Sequence, residues 1–295
     1  MDIKDNQINL NVEQENLTST LMTDEDDVVS IDFETKTPIT WGIEKIDEMI
    51  GKINYGEMVT FVWKAGSWKT EYCFFMARKN ADAWVKTAFI SLEMPRKNLI
   101  LRTAIKRAGV GKREWDNKIL EDRQKEIIKS EIERLSNYNN LSLFGVTKND
   151  TQEWTKITPE DIWRLIYDWY KKWVKLFFID NLWFIKQDWV EEWDTQQEAC
   201  RLLKQLTIKL KITIVLLHHV KKWNDRDRQN MVRGSWKIND DTDILAWLDR
   251  VYDDTTFWID KSRMRWDKRE IDIEFKKWDF DIVVEKKEEK TEKPF

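Results

Sequence analysis

Glu57-Met-Val-Thr-Phe-Val-Trp63-Lys-Ala-Gly66-Ser-Trp68-Lys69-Thr70-Glu71 is the stretch that decides the fold. Its apolar first half reads as a strand. A loop of small residues follows, and Lys-Thr then opens a helix through Cys73, Phe74, Phe75 and Ala77. This is the layout of a phosphate-binding loop, G-x-x-x-x-G-K-[ST], laid over Trp63, Lys64, Ala65, Gly66, Ser67, Trp68, Lys69 and Thr70. Such a loop works because bare backbone N–H groups near a helix N-terminus point at phosphate oxygens. The lysine reaches the outer phosphates and the hydroxyl holds Mg²⁺. Lys69 and Thr70 are in register for these two tasks. Trp63 and Trp68 occupy both glycine positions of the motif, where backbone freedom and room for the ligand are needed. Either the loop binds no phosphate, or tryptophan is not the residue the cell places there.

Composition bears on that choice. The 295 residues include 8 glycines and 18 tryptophans, together 26, whereas glycine alone makes up about 7% of an ordinary domain. Several tryptophans fall where turn chemistry asks for glycine: Trp84 before a strand, Trp223 in a polar loop, Trp236 in Arg-Gly-Ser-Trp-Lys, and Trp278 in Lys-Lys-Trp-Asp. The pattern fits UGA codons read as glycine, as in some bacterial lineages, and written as tryptophan. Trp41 need not belong to that set.

The remaining composition bounds the protein class. A formal charge of −4 announces no polycation, so any nucleic-acid contact must be local. Cys73 and Cys200 lie far apart in apolar helical patterns and read as buried free thiols of a cytoplasmic protein. No apolar run approaches the ~20 residues of a membrane span, so no membrane partner is expected.

Along the chain, residues 1–36 carry ten acidic residues against two lysines and read as a disordered acidic tail. Residues 37–284 read as one doubly wound α/β domain, and 285–295 as a charged tail. Within the domain, Gly42–Ile50 has the apolar spacing of a short helix, and Lys86–Leu92 reads as a buried strand. Pro95 is expected at the first position of a helix. Ile119–Leu135 reads as one long helix with Leu120, Ile127, Ile128, Ile132 and Leu135 on one face. Leu141–Val146, Val174–Asp180 and Ile212–Leu217 read as strands, with helices over 159–171 and about 194–210. Arg250–Tyr252, Phe257–Lys261, Ile271–Phe275 and Phe280–Val284 alternate as short strands of an antiparallel edge. The fold class is therefore a mostly parallel, doubly wound sheet flanked by helices, with a small antiparallel C-terminal edge.

Two carboxylates complete the loop's chemistry. Asp180 ends an apolar strand and can hold Mg²⁺ beside the phosphate loop on the neighbouring strand. Glu93 ends the strand after the loop helix and can act as general base toward water.

Ser91-Leu-Glu-Met94 resembles the Ser-Leu-Glu-Met signature of DnaB-type hexameric replicative helicases, a RecA-like family. The likeness runs from about residue 40 to 284. Gly42-Ile-Glu-Lys-Ile-Asp47 is similar to the family's opening helix, and Phe178-Ile-Asp180-Asn-Leu to its metal-binding strand. Leu217-His218-His219-Val-Lys221-Lys222 and Val232-Arg233-Gly234-Ser235-Trp236 resemble the branch of phage primase-helicases and the mitochondrial helicase Twinkle. Lys261-Ser-Arg263 resembles a Lys-x-Arg pair that reaches the next subunit's ATP site.

The resemblance implies ATP and Mg²⁺ as cofactors and Glu93 as catalytic base. It implies His219 or His218 as γ-phosphate sensor, and Lys261 and Arg263 acting in trans. It further implies a homo-hexamer or other ring on single-stranded DNA, with a primase or loader as a further partner. DNA contacts are expected from Lys221, Lys222, Arg226, Arg228 and Arg233, and a second loop at 184–195 is acidic. No helical or primase-like domain is expected from the residues that precede the motif region in this sequence. The same fold also carries non-motor ATP switches of the clock or recombination-mediator kind. An inactive structural protein is the outcome if the loop tryptophans are real.

Overall fold

The protein is described from a computed structural model covering residues 39–63, 69–146, 157–186, 190, 192–219, 240–251, 254–263, 269–276 and 279–284. Both tails fall outside these residues. The helices are α1 (Glu44–Ile50), α2 (Lys69–Asp82), α3 (Arg96–Arg107), α4 (Lys112–Asp116), α5 (Asp122–Ser136), α6 (Pro159–Tyr170) and α7 (Glu192–Leu210). The strands are β1 (Met58–Trp63), β2 (Thr87–Ser91), β3 (Leu141–Gly145), β4 (Leu176–Asp180), β5 (Thr213–His219), β6 (Ile244–Val251), β7 (Asp254–Ser262), β8 (Arg269–Lys276) and β9 (Asp279–Val284). They form one sheet in the order β3-β2-β4-β5-β1-β6-β7-β8-β9.

From β3 to β6 every pairing is parallel, and from β6 to β9 every pairing is antiparallel. A parallel sheet covered on both faces wants apolar residues on both, hence the unbroken runs in β2, β4 and β5. The pleat then divides each strand between two cores. Phe89, Leu176, Phe178, Val215 and Leu217 join Trp41, Ile46, Tyr72, Phe74 and Phe75 on the face of α1 and α2. Ala88, Ile90, Phe177, Ile179, Ile214 and Leu216 join Ile162, Ile166, Leu203 and Leu206 on the face of α6 and α7. No helix among the described residues is long and apolar enough to cross a membrane.

Three local expectations change. The helix expected from Ile119 begins at Asp122, and Ile119 is exposed. Glu121 caps that helix, its backbone N–H donating to Gln124 Oε1 at 2.9 Å. Pro95 precedes α3 in an extended conformation, ψ 145°, instead of opening it. The strand read from Arg250 starts at Ile244, and its first half pairs parallel with β1 (Val59 opposite Ile244). Asp243 anchors that start. Its Oδ2 accepts from Met58 N at 2.7 Å and from Lys204 Nζ at 2.5 Å.

Two positions show how backbone and side chain share space. Gly145 ends β3 against the first residue of α3, where a Cβ would collide with the Arg96 backbone. Trp41 is wholly buried. Its indole Nε1 donates to the Gly51 carbonyl at 2.8 Å and its ring meets Phe61 and Phe257 edge-on. Trp84 and Trp173 are its opposites, with φ of 66° and 70° and exposures of 84% and 73%.

A left-handed residue bearing a Cβ costs roughly 1–2 kcal/mol, whereas glycine adopts that conformation freely. Trp84→Gly and Trp173→Gly should therefore each raise unfolding free energy by about 0.5–1 kcal/mol, after glycine's added chain entropy is subtracted. Trp84→Ala, which keeps the Cβ, should gain nothing. Trp41→Ala should cost about 3–5 kcal/mol through its cavity. Urea denaturation of the four variants checks all of these signs.

Candidate nucleotide-binding site

β1, β2, β4 and β5 end together on one side of the sheet, where ligands bind in open α/β folds. Thr70, at the start of α2, donates its hydroxyl to Asp180 Oδ2 at 2.7 Å. Both residues are buried, and Asp180 is wholly so. This corrects one expectation in detail: β4 is not the neighbour of β1, because β5 lies between them. The hydroxyl of the first helical turn spans that separation.

Lys69 is buried beside the same carboxylate. Burial pushes its ammonium down to about 8, against the opposing attraction of Asp180 and Glu93. Glu93 follows β2, where Leu92 N donates to the Asp180 carbonyl at 2.5 Å and Met94 N to Ser91 Oγ at 3.2 Å. Glu93 Oε2 accepts from Asn181 Nδ2 at 3.0 Å. Lys69, Thr70, Glu93 and Asp180 are thus brought to one place from three different parts of the chain. Such a set can bind a phosphate tail, share a divalent cation between a hydroxyl and a carboxylate, and take a proton from water. Among the described residues no three of His, Cys, Asp or Glu form a metal cluster on their own. The donor set fits an ion shared with phosphate oxygens and water.

A family profile for the DnaB-like helicase C terminal domain matches residues 38–286. The chain belongs to that family. No curated protein sequence matches it. Among solved structures, this DnaB-like domain is similar to a separately solved ATPase domain, with a TM-score of 0.71 at 18% identity over 93% of this chain and 98% of that one. It is similar to a DnaB-like replicative helicase studied with primase, with a TM-score of 0.70 at 17% identity over 92% of this chain and 66% of that one. A KaiC-like protein of Pyrococcus horikoshii shares the fold at a TM-score of 0.57 and 16% identity, over 86% and 100% of the two chains. At these identities the likenesses establish the RecA-like fold.

The other expected residues of the DnaB-like domain divide between the two ends of the strands, the histidines at the same end as Asp180. His218 is buried at the end of β5, opposite Val62 of β1, and His219 pairs with Trp63. Lys261 and Arg263 lie at the other end of the strands. Ser262 pairs with Ile244, and Ile244 with Val59 near the start of β1, while the phosphate loop leaves from the far end of that strand. There Arg263 N donates to the Asp243 carbonyl at 3.0 Å, and its guanidinium reaches the Asp240 carbonyl. Burial and the adjacent Arg263 push Lys261 below its ordinary value. Lys64, Ala65, Gly66, Ser67 and Trp68 lie outside the described residues, as do Lys221, Lys222, Arg226, Arg228 and Arg233. The two thiols, Cys73 and Cys200, are buried, and burial pushes both upward, away from the reactive thiolate form. Asn181 is a site residue that sequence reasoning misses. Its signal is a polar side chain directly after Asp180 in an otherwise apolar run.

The lowered Lys69 value sets a pH dependence. With about 8 in the folded state and 10.5 unfolded, the unfolded chain holds more protons between those limits. Stability should therefore gain as pH rises from about 8 to 10.5, by at most roughly 3 kcal/mol. Lys69→Met should lack that gain. Urea midpoints of the two proteins at about pH 7 and pH 10 check it.

Proposed function

We propose that this chain is an ATP-hydrolysing motor that moves on single-stranded DNA as a ring, a homo-hexamer by its family, in the cytoplasm. The observation that carries the reading is the Thr70–Asp180 hydrogen bond beside Lys69 and Glu93, four groups that phosphoryl transfer needs together. Lys69 and the loop backbone bind the phosphate tail, while Thr70 and Asp180 hold Mg²⁺. The ion, when bound, offsets phosphate charge. Glu93 takes the proton of a water whose oxygen bonds to the γ-phosphorus as the bond to the bridging oxygen breaks, releasing ADP and phosphate. His219 or His218, at the end of β5, registers loss of the γ-phosphate.

Lys261 and Arg263 act on a neighbouring subunit's site, an assignment supported by their place at the strand ends remote from their own Thr70. Lys221, Lys222, Arg226, Arg228 and Arg233 track the DNA backbone, and a primase or loader is the expected protein partner. A non-motor ATP switch is the reading in which turnover ignores DNA.

The test uses Trp63→Gly with Trp68→Gly, because an indole at 68 stands where backbone must approach phosphate. This protein should bind ATP and turn it over with Mg²⁺, faster with single-stranded DNA, while the all-tryptophan chain binds poorly. Glu93→Gln in the same background should keep ATP binding and lose hydrolysis about a hundredfold or more. Turnover that DNA leaves unchanged would make the protein a switch; parental hydrolysis by Glu93→Gln would remove the base assignment. An inactive Arg263→Ala subunit should recover activity when mixed with inactive Lys69→Ala, since mixed rings contain intact interfaces.

A further inference from the structure

Asn181 is wholly buried, and its amide has only one useful orientation. Oδ1 accepts from Trp183 N at 3.0 Å, which turns Nδ2 toward Glu93 Oε2, also at 3.0 Å. The adjoining residue, Asp180, accepts from Thr70. One dipeptide at the end of β4 therefore touches both the metal-side hydroxyl and the carboxylate across the site. We propose that Asn181 is a positioning residue that fixes the Glu93 carboxylate for proton abstraction from water; this rests on the hydrolase reading above.

The chemistry suits the task. Glu93 sits on a turn after β2 and is half-buried, so its side chain needs a tether to hold one rotamer. A neutral amide N–H supplies one. It favours the charged carboxylate, yet withdraws less basicity than a lysine or arginine would. Because Trp183 N fixes the amide, the donor cannot flip to present its oxygen to Glu93.

The experiment combines turnover with a measurement that needs none. In the Trp63→Gly, Trp68→Gly protein, Asn181→Ala should lower kcat about tenfold to a hundredfold, with ATP affinity within about twofold of parental. The acid limb of its kcat profile should move up by about one pH unit. Asn181→Asp keeps the acceptor for Trp183 N and the side-chain shape, but faces Glu93 with a second carboxylate. It should shift that limb further, and it stands in should Asn181→Ala fail to fold. A ¹³C carboxyl titration of Glu93, assigned by its loss in Glu93→Gln, should show the same order of midpoints without ATP. Unmoved midpoints in both variants overturn the proposal. A parental protein that does not hydrolyse ATP overturns the hydrolase reading instead, and the titration still decides the role of Asn181.

Trp84 and Trp173 carry a different conclusion. Lys118 and Lys211 also adopt positive φ, so left-handed backbone alone does not name the residue. What sets the two tryptophans apart is a large indole, 84% and 73% exposed, that offsets the strain with almost no burial. Trp41 buries its whole ring in the core. We infer that positions 84 and 173 are glycine in the protein the cell makes, and that position 41 is tryptophan. The gene decides: UGA at codons 84 and 173 with UGG at codon 41 is the expected result. UGG at 84 and 173 overturns it.

Discussion

The Thr70 hydroxyl held by the Asp180 carboxylate is the contact on which the site depends. Asp180 has no exposure, and a carboxylate buried to that degree needs donors and opposite charge beside it. Thr70 supplies a donor and Lys69 an attracting charge. The three residues therefore stand or fall together. Removing Asp180 would leave Lys69 buried with a weaker partner set, and removing Lys69 would leave Asp180 and Glu93 without the cation that both attract.

That contact also explains why β5 can lie between the two strands that carry it. Trp63 ends β1, and Thr70 in the first turn of α2 reaches Asp180 at the end of β4, two strands away. His218 and His219 end β5, the strand that lies between β1 and β4. At the other end of the strands Asp243 gathers Met58 N, Lys204 and the Arg263 backbone. It ties the entry into β6 to the start of β1, so the two ends of the sheet have separate tasks. One assembles the chemistry, and the other fixes the antiparallel hairpin that carries Lys261 and Arg263.

Much of this is legible in the amino-acid sequence because its causes are local. Apolar runs give buried parallel strands, and Lys-Thr after a strand gives a helix start. Asp180 and Glu93 are readable as strand-end carboxylates. Legibility falls where a tertiary contact decides. Ile119 has helical spacing but lies before the cap at Glu121, and the parallel pairing of Ile244 depends on Asp243 reaching Met58, 185 residues away. Asn181 escapes notice because a polar residue after a metal-side aspartate has many uses. Only the Trp183 N–H and the Glu93 oxygen, on two separate turns, give it one.

The tryptophans mark the difference between what a fold requires and what a site requires. An indole on a left-handed surface residue costs roughly 1–2 kcal/mol, a fraction of the roughly 5–15 kcal/mol by which domains are stable. The sheet is built from Phe, Ile, Leu and Val side chains that no such turn disturbs, so it persists around Trp84 and Trp173. At a phosphate loop the same substitution acts on the ligand. Backbone N–H groups there must come within hydrogen-bond distance of oxygen, and a side chain in the way removes the contact outright instead of straining it. A family profile and a sheet topology therefore survive tryptophan at positions 63 and 68, while nucleotide binding depends on what stands there.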